Sequence, residues 1–164
     1  MRRPLSTEPT GTSSDDSETE ADKTKREFWE SVAEEVSSRS DTSLGPVSSG
    51  SSYHRDQPTP LQDSIIRLSI NTQKRQISVH LLIRDDWSLF DHLEDDAEAI
   101  EAELGTEIEW VPPDRTNSSK ERCKVRLTRP INLDERTDWG EAVKWIVDRG
   151  EQFHAVFDDR LAAY

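Results

Sequence analysis

Ile66, Leu68 and Ile70 alternate with Arg67, Ser69 and Asn71, and the alternation resumes at Ile77, Val79, Leu81 and Ile83 after a short polar segment ending at Arg75. Successive side chains of an extended chain point to opposite faces, so apolar residues at every second position mark a strand with one buried face. The connection is what constrains the fold. Parallel neighbours need a crossover of a dozen or more residues, whereas antiparallel neighbours are joined by a handful. The segment is predicted to be an antiparallel hairpin, and the rest of the chain must cover its apolar side.

A second pair of strands follows the same pattern. Ile108 and Trp110 alternate with Glu107 and Glu109 and end at Pro112-Pro113; Cys123, Val125 and Leu127 alternate with Arg122, Lys124 and Arg126. Helical spacing occurs three times. Phe28, Trp29, Val32, Ala33 and Val36 form one stripe, and Thr24 with Glu27 is a capping-box pattern, so a helix is expected from about Thr24 to Ser37. Phe90, Leu93, Ala97, Ile100 and Leu104 predict a helix over Trp87 to Leu104, begun by Ser88 and Asp91 and closed by Gly105. Asp138 and Glu141 precede a last helix carrying Trp139, Ala142, Val143, Ile146, Phe153 and Phe157, with Gly150 as a point of weakness or bending. The expected fold is α+β: an antiparallel four-stranded sheet built from two hairpin-like strand pairs, with helices packed on one face. Residues 1–23 read as a disordered acidic Ser/Thr-rich tail, and residues 24–164 as a single domain with a flexible Ser/Gly/Pro loop at about 38–60.

The chain carries 34 Asp and Glu against 21 Lys and Arg, a net charge of -13. Most of that excess lies after the tail, so the folded part is itself acidic. Lys is scarce and Arg common. Like charges on a folded surface repel in dilute buffer, and molar salt screens them, so the composition resembles that of proteins from salt-loaded cytoplasm. The single cysteine, Cys123, forms no intramolecular disulfide and falls in an apolar alternation, as a small core residue does. No run of about 18 apolar residues is present to span a membrane. Met1-Arg2-Arg3 is followed by no apolar stretch of a secretory signal. A cytoplasmic setting and no membrane association are expected.

The residues that do chemistry elsewhere are poorly arranged here. Asp85 and Asp86 stand before a helix, where acids favour its N-terminus more readily than they hold a cation. Glu107 and Glu109 lack the lysine two residues on that a restriction-type nuclease site needs. His54, His80, His92 and His154 have no metal-ligand spacing with one another or with Cys123, and His80 is expected on the solvent side of its strand. No nucleophile elbow or phosphate-binding glycine loop occurs. No catalytic, cofactor or metal residue is therefore assigned, and the chain is expected not to be an enzyme. The basic residues near the last strand are a candidate nucleic-acid contact: Arg122, Lys124 and Arg126 on one face, with Lys120 and Arg129 nearby. The competing expectation is that they pair across the strands with Glu107 and Glu109. Most of the five tryptophans fall on apolar faces; Trp29 and Trp145 are less clearly placed and are candidate exposed anchors, with burial in the core the leading expectation.

Together, Arg26-Glu27-Phe28-Trp29, Leu68-Ser69-Ile70-Asn71, Ile77-Ser78-Val79, Ile83-Arg84-Asp85-Asp86, Ile100 to Gly105 with Trp110, Leu133-Asp134, Trp139, Phe153, Phe157 and Arg160 carry a resemblance. From Lys25 to Tyr164 the sequence resembles the domain of unknown function, family 4268. Members are often the C-terminal part of proteins with a restriction-nuclease-like N-terminal domain, so the resemblance implies a link to nucleic-acid metabolism or defence. It supplies no catalytic residues. Relatives often have a Gly-rich segment before the first strand, and Tyr53 to Gln62 lacks glycine here.

Three functions compete. The leading expectation is a non-catalytic accessory module that binds another protein or itself, beside a nuclease on another chain. The second is a nucleic-acid-binding domain using Lys120, Arg122, Lys124, Arg126 and Arg129. The third is a metal-dependent nuclease using Asp85, Asp86, Glu107 and Glu109.

Overall fold

The computed structural model describes residues 19–48, 50–84, 86–112 and 122–164. Residues 1–18 of the expected disordered tail lie outside them, whereas its last residues, from Glu20 to Lys23, are helical. The first helix, α1 (Glu20–Ser38), starts a turn earlier than the capping-box pattern predicts. Thr19 is the true N-cap, its hydroxyl accepting from the Asp22 N–H at 3.0 Å, while the Thr24 hydroxyl donates back to the Glu20 carbonyl. The chain then forms β1 (His54–Pro58), β2 (Ser64–Asn71) and β3 (Gln76–Arg84). Helices α2 (Trp87–Glu94) and α3 (Ala97–Leu104) follow. Strands β4 (Glu109–Val111) and β5 (Arg122–Pro130) come next, then a single 3-10 turn and α4 (Trp139–Ala163).

The sheet has five strands in the order β1-β2-β3-β5-β4, and every neighbouring pair is antiparallel. The α+β class and the antiparallel sheet are as expected; the strand count is not. The fifth strand, β1, falls inside the stretch expected to be a flexible loop. Its alternation is real but its inward residues are Arg55 and Gln57, which are buried although polar, so no apolar period announces it. These two side chains also tie down the loop before them. The Arg55 guanidinium donates to the carbonyls of Ser48 (2.6 Å), Gly50 (3.0 Å) and His54 (2.7 Å) and lies over the Trp29 ring. The Gln57 side-chain oxygen accepts from the Gly45 N–H at 2.8 Å. Leu44 and Val47 from the same loop enter the core.

All the described helices lie on one side of the sheet. Ile66, Leu68, Ile70, Ile77, Val79, Leu81, Ile83, Cys123 and Val125 face them and are buried. Trp29 is fully buried, its indole N–H donating to the Ser52 carbonyl at 2.8 Å, and Trp145 is partly buried against the core; Trp29 is not an exposed anchor. The helix expected over 87–104 is broken into α2 and α3. Asp95 and Asp96 form the break, and Arg160 of α4 holds the Asp96 carboxylate at 2.9 Å. Gly150 does not weaken α4, which runs unbroken past it. A Cβ there would stand 3.3 Å from methyl groups of Leu44 and Leu68, so the glycine lets the helix approach the sheet.

Candidate functional site: the open face of the sheet

No described helix covers the other side of the sheet. Even-numbered positions of β3 and β5 point there, with odd-numbered positions of β2 and β4 and the even positions of β1. Register sets them in cross-strand rows. One row reads Asp56, Arg67, His80, Arg126, Glu109 across all five strands. The next reads Pro58, Ile65, Leu82, Lys124, Val111.

The first row is an ionic ladder with a histidine at its centre. Arg67 grips Asp56 with two hydrogen bonds of 2.8 and 3.2 Å. Arg126 holds Glu109 at 2.8 and 2.9 Å. Burial alone would raise the Asp56 carboxyl, but the Arg67 guanidinium outweighs it and keeps Asp56 below the ordinary carboxylate range. His80 is only 7% exposed. Burial, reinforced by Lys124, Arg67 and Arg126, pushes its imidazole down to about 3, so it is neutral at ordinary pH. Its Nδ1 is buried with no hydrogen-bond partner. Lys124, half-buried in the apolar row, is also shifted down, by burial first and then by Arg126. It makes no ion pair with a described residue.

The sequence-predicted basic stripe is thus divided. Lys124 and Arg126 share the open face. Arg129 does not: it stands opposite Ile77 on the helix-covered side, with Nη1 buried and unpartnered and Nη2 3.6 Å from Glu141. Arg122 takes the register position opposite Arg84, and Lys120 lies outside the described residues. Cross-strand pairing occurs between Arg126 and Glu109, while Glu107 falls before β4. The acids of the nuclease alternative are not assembled. Asp86 caps α2, accepting from the Leu89 N–H at 3.0 Å. Glu109 stands opposite Arg126, four residues along β5 from the rung beside Arg84, or about 13 Å at strand spacing. Asp85 lies outside the described residues, among which no group of three or more His, Cys, Asp or Glu is placed to hold a metal.

Asp56, Arg67 and His80 were not assembled from sequence. Arg67 and His80 were visible as polar positions of strands, but the rung that joins them needs the register, and Asp56 needs β1. A cleft of about 300 Å³ also lies where α1 begins, beside the β2–β3 turn. Its charged lining side chains, Glu20, Arg75 and Asp134, are all exposed, so nothing there is poised as His80 is.

An antiparallel sheet with helices on one side and a charged, partly apolar second side defines a surface rather than a pocket. The chain belongs to the family Domain of unknown function (DUF4268), whose model matches residues 24–161. Comparison with curated proteins finds no match. Among solved structures it is similar to YbjN from E. coli, proposed to be a transcription regulator, with 9% identity over 77% of this chain and 87% of that one; the TM-score of 0.36 is too low to carry an argument.

Proposed function

We propose that this domain is a non-catalytic accessory module that docks a protein partner on the open face of its sheet. The observation that supports it best is the state of the two arginines. Phosphate-backbone binding draws on cations that are free to replace counterions. Arg67 and Arg126 are each bound to a carboxylate within the chain, which balances their charge. The described strand positions of this face also offer no Phe, Tyr or Trp on which bases would stack. What they offer is half-buried Ile65 and Val111 on either side of a buried Leu82, beside paired charges, the composition of a protein contact with a desolvated centre. The family resemblance suggests the class of partner, a nuclease or another component of a DNA-defence system carried on a separate chain.

The test is capture of partners by the tagged protein from its native lysate in molar KCl, with and without nuclease treatment, alongside an Ile65→Glu variant that retains its circular-dichroism spectrum. A protein partner that survives nuclease and is lost with Ile65→Glu is the expected result. Recovery that depends on nucleic acid would transfer the face to the nucleic-acid reading. A partner kept by Ile65→Glu would remove the open face from the account.

A further inference from the structure

We draw no further inference here: the strongest candidate, the cleft of about 300 Å³ between the first turn of α1, the β2–β3 turn and the segment after β5, joins a helix N-terminus to the exposed side chains of Glu20, Arg75 and Asp134, and nothing in the structure shows what fills it.

Discussion

Arg55 shows what a single side chain decides in this fold. It is 8% exposed, and it faces backbone carbonyls rather than a carboxylate, with burial lowering its pKa from the usual value. The guanidinium supplies several donors in a fixed fork, so one residue closes the turn that carries Ser48 and Gly50. Arg55→Ala should cost about 2–3 kcal/mol in urea unfolding, because it strands buried carbonyls as well as removing the cation over Trp29. Arg55→Lys should recover little of that loss, having one compact charge in place of the fork. His80 gives the second residue-scale expectation. Its folded pKa is depressed, so between pH 6.5 and about 3 the unfolded chain takes up a proton that the folded chain refuses. Stability is complete above pH 6.5 and falls as the pH drops through that window. Between pH 6.5 and 4.5 the loss should be about 2 kcal/mol, at one pKa unit per 1.4 kcal/mol. His80→Gln should flatten the slope there, leaving the steeper fall below pH 4.5 that Asp56 and the other paired carboxylates produce.

At the scale of elements, the strongly periodic segments were legible and the interrupted ones were not. β2, β3 and β5 follow directly from alternating Ile, Leu and Val. β1 was hidden because its buried positions are Arg55 and Gln57, whose burial depends on finding loop carbonyls to bond. The continuous stripe from Phe90 to Leu104 gave no sign of its break, since Leu93, Ile100 and Leu104 still face the core on both sides of it. Arg160 contacts both Asp96 and Glu103 from α4, a tertiary tether that local spacing does not contain. Gly150 reverses its apparent role in the same way. It reads as a weak point by propensity, and it is where α4 comes closest to Leu44 and Leu68. Gly150→Val should destabilise the domain by about 2 kcal/mol through overpacking, measured by urea unfolding. In the Gly150→Val background Leu44→Ala should cost less than it costs alone, because the two changes share that space, and a double-mutant cycle reads the difference directly.

At the scale of the molecule, the acidic composition predicts a dependence on salt. Several ion pairs knit elements together: Arg39 to Asp148 and Glu151 joins α1 to α4, and Arg136 to Glu27 joins the turn before α4 to α1. Screening weakens such exposed pairs, yet it also relieves the larger repulsion of an excess of acids. The second effect should dominate at a net charge of -13, so the thermal midpoint is expected to fall on transfer from molar KCl to dilute buffer. Equal midpoints in the two buffers would show that the acidity serves something other than salt adaptation. Among the described residues no helix is long and apolar enough to cross a membrane.

The sequence by itself determined the α+β class, the central hairpin, the helices' apolar stripes and the acidity of the surface, because each is a property of local period or of composition. Only the tertiary structure decided that β1 exists and that Arg129 leaves the basic stripe. It also decided the row from Asp56 to Glu109. That row draws one residue from each of five strands, and no local pattern encodes it, because strand register is fixed by packing between segments far apart in the chain.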